Sequence, residues 1–149
     1  MAAAAARVYG RPMANEALVQ SVKQIIAAGR TGTLDDTYEG YRKLFESPEL
    51  ALNEPGDQRQ ALKIMILAKG APRQATPAMV EAHRAAVAPL TELVRLHREP
   101  ADYELLGICQ IMLGDPEAAN LLFRAGLTIE RERDASSNLC GSLMKRVAG

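Results

Sequence analysis

ADYELLGICQIMLGDPEAANLLFRAGLTIERERD, residues 101–134, is two helical segments around a turn. Apolar residues recur at helical spacing on both sides of Gly114-Asp115, and Pro116 follows at a position where a first helical turn has no hydrogen bond to lose. The helices expected here cover Ala101 to Leu113 and Pro116 to about Arg133. Gly107, Ala119 and Gly126 are small and Phe123 is large along these two segments. From Leu105 to Leu113 only Gly107 and Gln110 are not apolar, so the first helix is hydrophobic all round and must be covered on every side.

The same punctuation divides the rest of the chain. Residues 1–12 are Ala-rich, end in Gly10-Arg11-Pro12 and show no amphipathic period, which predicts a flexible leader. A first helix is expected from Ala14 to Ala28, with Leu18, Val22, Ile25 and Ile26 on one face and Gly29 as its stop. A second starts near Leu34-Asp35-Asp36, carries Tyr38, Tyr41, Leu44 and Phe45, and ends before Pro48, giving a hairpin over 13–48. Asn53-Glu54-Pro55-Gly56 reads as a turn and Asp57 as the cap of a third helix, Gln58 to Lys69. Thr76-Pro77 starts a fourth, to about Arg98, with Met79, His83, Val87, Leu90, Val94 and His97 along one stripe and a kink or split at Pro89. These two span 57–98. A last helix is expected over Ser136 to Val147. The chain is therefore expected to be all-α, seven helices in a single domain over 13–149.

Composition narrows the function. The 149 residues carry 18 basic and 18 acidic side chains. A zero net charge removes the electrostatic footprint of a protein that lives on nucleic acid or anionic membranes, so neither is expected as a partner. The longest apolar run, Ile64 to Ala68, is far short of a membrane span, and the alanines before Arg7 reverse the basic-then-apolar order of a signal peptide. Cys109 and Cys140 lie in apolar runs without metal-ligand spacing, which reads as two buried thiols and a cytoplasmic protein. His83 and His97 are fourteen residues apart, about 21 Å along one helix, too far to share a metal. Asp35-Asp36 suits a helix start, and Glu130, Glu132 and Asp134 alternate with Arg131 and Arg133 as a solvated face. Nucleotide-binding and hydrolase glycine motifs are missing, so no cofactor, no metal and no catalytic residues are expected.

Tyr103, Leu106-Gly107, the Gly114-Asp115 turn, Ala119, Phe123 and Gly126-Leu127 together resemble the tetratricopeptide repeat, whose period is about 34 residues. Gln110 stands where a Tyr is usual, and Arg131 where a Pro often ends the unit. Gly141, in Leu139-Cys140-Gly141-Ser142, follows Gly107 by thirty-four residues and echoes it. Residues 32–45 look like the second half of the unit, with Tyr41 in the place of Phe123, and 57–98 match in outline only.

The resemblance implies a right-handed superhelix of three antiparallel hairpins (13–48, 57–98 and 101–133) with a capping helix over 136–147, binding a partner segment in its concave face. The first helix of each hairpin would line that face, with Ile64, Leu67 and Ala68 and then Leu105, Ile108, Ile111 and Met112. Carrying the register from Gly107 to Gly141 adds Asn138, Ser142, Lys145 and Arg146, a basic end suited to a ligand with an apolar anchor and an acidic flank. Ile64 and Ile108 stand where the family's carboxylate-gripping members have Asn, so no such clamp is expected. The expected function is a non-catalytic protein-protein interaction module, an adaptor, scaffold or small chaperone that holds a peptide or helix of another protein. Two alternatives stand beside it: a self-associating domain whose apolar surface is buried by a second copy in a homodimer, and a small-molecule or catalytic domain using His83 or His97.

Overall fold

The computed structural model describes residues 15–149, so the expected leader over 1–12 and the start of the first helix at Ala14 lie outside the described residues. These form seven α-helices and no strand: α1 (Glu16–Thr31), α2 (Leu34–Glu46), α3 (Pro55–Ile66), α4 (Pro77–His97), α5 (Pro100–Met112), α6 (Pro116–Asp134) and α7 (Asn138–Ala148), with a 3-10 turn at Leu50–Leu52. The all-α class and the number of helices match the periodicity. The chain divides into two compact units, one ending at Ala85 and the other covering Ala86–Gly149.

In the first unit Asn15 caps α1, its side chain accepting the Leu18 N–H at 3.0 Å. The helix does not stop at Gly29. A Cβ there would meet Thr37 Oγ1 at 1.7 Å, so this glycine serves the close approach of α1 and α2, and Gly32 is the C-cap instead. Gly40 faces Ile25 in the same way, a Cβ there lying 2.9 Å from Ile25 Cγ1. Thr33 and Asp36 close a capping box at the start of α2, with Thr33 N–H donating to Asp36 Oδ2 at 2.8 Å. Tyr38, Tyr41 and Phe45 are the buried face of this helix, and the Tyr41 and Phe45 rings stack at 5.6 Å.

The turn expected at Asn53-Glu54-Pro55-Gly56 is the beginning of α3 itself. Pro55 takes the first helical position, Glu54 the N-cap, and Asp57 falls within the first turn. Gln58 Nε2 reaches back to the Asn53 carbonyl at 2.8 Å, tying helix to turn. The helix ends at Ile66, short of Lys69, so Leu67 and Ala68 lie past its last turn and are exposed. Thr76 Oγ1 accepts the Met79 N–H at 3.3 Å at the start of α4 and donates to Asp35 Oδ1 at 2.7 Å. His83 is buried against Tyr38, ring centroids 6.3 Å apart, while His97 is exposed. The helix runs unbroken through Pro89, so the split expected there does not occur, and Arg98 follows it at φ +51°.

The second unit is built on glycine and phenylalanine. A Cβ on Gly107 would lie 2.3 Å from Phe123 Cε1, which places the α5 backbone directly on the ring carried by α6. Gly126 lies under Tyr103 and the Pro100 carbonyl, where a Cβ would be 3.0 and 3.3 Å away. Ala119, Phe123 and Leu127 of α6 pack with Cys140 and Leu143 of α7, and Ile108, Leu139 and Val147 pack against that cluster. Gly114, at φ +82°, makes the turn between α5 and α6, and Asp115 caps α6 by accepting the Ala118 N–H at 3.0 Å. Ser137 caps α7 and donates to Glu130 Oε2 at 2.7 Å. Gly141 has nothing within 4 Å of where its Cβ would be, so the sequence echo of Gly107 is not an echo of its packing.

Candidate partner-binding groove

Two adjoining cavities of about 470 and 290 Å³ lie over Phe123 in the second unit. Ile111, Phe123, Arg146 and Gly149 line both; Ser142 and Lys145 extend the groove one way, Pro116 and Asn120 the other. The walls come from three elements: the last turn of α5, the first half of α6 and the second half of α7. Ile111 is 52% exposed, a large apolar side chain with no cover. Among the described residues no Asp or Glu lines either cavity.

Arg146 sits between the two cavities and is fixed from below. Its Nε donates to Glu104 Oε2 at 2.8 Å, and the guanidinium lies over the Phe123 ring, 5.7 Å from the centroid. Ser142 donates its hydroxyl to the same carboxylate oxygen. Glu104 is buried, with its side chain 9% exposed against 34% for Arg146, so the carboxylate is held inside by two donors. The terminal nitrogens of Arg146, the Lys145 ammonium and the Asn120 amide have no hydrogen-bond partner among the described residues.

Of the residues expected to line a concave face, Ile111, Ser142, Lys145 and Arg146 meet in this groove. Leu105 does not: at 2% exposure it is a core residue. Ile108 is half-buried against the Phe123 cluster and lines neither cavity. Met112 is half-buried and Asn138 exposed, and neither lines these cavities. In the first unit Ile64 and Ala68 line an apolar cleft of about 140 Å³ with Tyr38, Tyr41, Ile26 and Leu34, and Leu67 lies outside it, exposed. Burial pushes the Tyr41 hydroxyl up to about 12, so it stays neutral and acts as a ring.

Sequence reasoning placed Phe123 as packing only and passed over Glu104 and Asn120. Glu104 carried a signal: a carboxylate on a helix that is apolar all round has to find a cation, and the last turn of α7 holds Lys145 and Arg146. Asn120 carried none. Both cysteines are free and buried, and burial pushes the Cys109 thiol up to about 12. His83, buried with Nδ1 2.8 Å from the Met79 carbonyl, faces no cavity of the second unit. Among the described residues no group of three or more His, Cys, Asp and Glu is placed to hold a metal ion, and no helix is long and apolar enough to cross a membrane. Comparison with family models, with curated proteins and with solved structures finds no match.

Proposed function

We propose that the chain is a non-catalytic interaction module of tetratricopeptide type, whose second unit receives an apolar side chain of a partner protein in the groove over Phe123. The supporting observation is the exposed Ile111 in the lining of both cavities, with the Lys145 and Arg146 side chains beside it. A monomer gains nothing by leaving Ile111 uncovered, whereas a partner's Leu or Phe would bury it. The close approaches of Gly107 to Phe123 and of Gly126 to Tyr103 support the hairpin part of this reading, because the repeat needs small residues at both places.

The groove also fixes which residue to test. Ile108 packs against the core cluster, so a charge there would damage the fold along with binding. Ile111 is separable. A photo-crosslinking phenylalanine analogue at Ile111, irradiated in the cell of origin, should capture one discrete foreign polypeptide, and Ile111→Glu should abolish its binding with an unchanged melting temperature. An adduct of twice the chain mass, together with a dimer in light scattering, would assign the groove to a second copy of the chain. Diffuse adducts alone would remove the proposal.

A further inference from the structure

Resting on the groove reading above, we infer that the partner segment is extended rather than helical and carries a carboxylate beside its apolar anchor, read by the free edge of Arg146. Three observations on separate residues converge on it. The first is the way Arg146 is held. Glu104 takes only Nε, and the Phe123 ring lies under the guanidinium plane, so the two terminal nitrogens remain paired donors on a side chain that has already lost its freedom. A planar fork of this kind matches a carboxylate bidentately, and fixing it beforehand lowers the entropy lost on binding.

The second is the balance of charge. The Glu104 carboxylate is matched by Arg146, and Lys145 adds a cation on the same wall with no ion pair among the described residues. Lys145 and Arg146 are the charged side chains among those lining the two cavities, and no Asp or Glu side chain is with them. Charge complementarity therefore selects an acidic segment.

The third is Asn120. Its amide has no partner among the described residues and lines the end of the groove away from Lys145, where nothing needs a charge. An amide offers one donor face and one acceptor, the complement of an exposed peptide group. A helix has already satisfied its own backbone, so the residue is useful only to an extended segment with free N–H and C=O groups.

The test is selection of a displayed library of random twelve-residue peptides on the full chain, with the enriched peptides then measured by fluorescence anisotropy. Peptides that lose binding to Ile111→Glu should carry Asp or Glu within a few positions of a large apolar residue. Changing that acid to its amide in the peptide, which cannot disturb the protein's fold, should weaken binding roughly tenfold or more. Arg146→Lys keeps the charge and loses the fork, so it should weaken the acidic peptide by a similar factor while leaving its association rate at low salt unchanged. Asn120→Ala should cost about fivefold, the worth of one hydrogen bond, and the same peptide locked into a helix by a side-chain bridge should bind no better than its amide form. If the Ile111-dependent peptides are neutral, or bind equally well as amides or as locked helices, the inference is overturned and the groove reading survives. If no enriched peptide depends on Ile111, both fall.

Discussion

At Gly107 an added Cβ would lie 2.3, 2.7 and 2.8 Å from three atoms of the Phe123 ring, and that ring is 4% exposed with the Ala119, Leu127 and Leu143 cluster around it. Relief would require the ring to leave its packing against that cluster and move into the cavities above it. Gly107→Ala should therefore destabilise the protein by about 2–3 kcal/mol, the upper range for overpacking, in spite of the better helix propensity of Ala. Gly141 supplies the control: the same methyl meets nothing within 4 Å, so Gly141→Ala should stabilise by about 0.5–1 kcal/mol. Urea denaturation of both variants checks the pair, and equal effects would mean that the helices do not approach as described. Arg146 belongs to the same scale. Treated as a rim charge it would affect only association, but it pairs with the buried carboxylate of Glu104, which would keep only the Ser142 hydroxyl as a donor, so Arg146→Ala should cost about 1–3 kcal/mol. Lys145 is exposed and unpaired among the described residues, so Lys145→Glu should leave the urea midpoint within error and act on association alone.

At the scale of elements, helix existence was legible and helix ends were not, because the residues used as punctuation have two uses. Gly29 looks like a stop but, with Gly40, is a contact surface for Thr37 and Ile25 across the α1–α2 hairpin. Pro55 looks like part of a turn but takes the first position of α3, which moved that helix three residues towards the N-terminus and left Leu67 outside it. Pro89 lies inside α4 without dividing it. A strong local signal could not reveal these choices, since a neighbour distant in sequence decides them. Arg98 shows the reverse case, a left-handed residue at φ +51° after α4 that is not glycine. The left-handed region costs an L-residue roughly 1–2 kcal/mol, part of which Gly would return to the unfolded chain as entropy. Arg98→Gly should raise the stability by about 0.5–1 kcal/mol, seen as a higher thermal midpoint, and a lower midpoint would show that the Arg side chain contributes more than its backbone costs.

At the scale of the whole molecule, the repeat register carried from Gly107 to Gly141 put Ile111, Lys145 and Arg146 on one face, and all three line one cavity, whereas the pairing of Glu104 with Arg146 across 42 residues leaves no local period to read. His83, expected on the stripe of the fourth helix, is buried. Its burial couples the folding equilibrium to pH. Loss of solvent lowers the imidazole below its ordinary 6.5, more than the hydrogen bond to the Met79 carbonyl raises it. The unfolded chain therefore binds the proton more readily than the folded one, so the stability contributed by neutral His83 is complete above pH 6.5 and is lost as pH falls below it. The slope can reach about 1.4 kcal/mol per pH unit for one proton. Glu39 and Glu92 are lowered too, held below the usual carboxylate value of 4.5 chiefly by hydrogen bonds from Arg42 and Arg95, so any stabilisation they give is lost only under more acid conditions and leaves the window from pH 6.5 down to 5 to the histidine. Urea midpoints should fall across that window in the wild type. In His83→Leu, which keeps an apolar side chain against Tyr38, the midpoint should fall much less, whatever its absolute value. A wild-type midpoint flat from pH 6.5 to 5, or a slope that persists in His83→Leu, would place the coupled proton elsewhere.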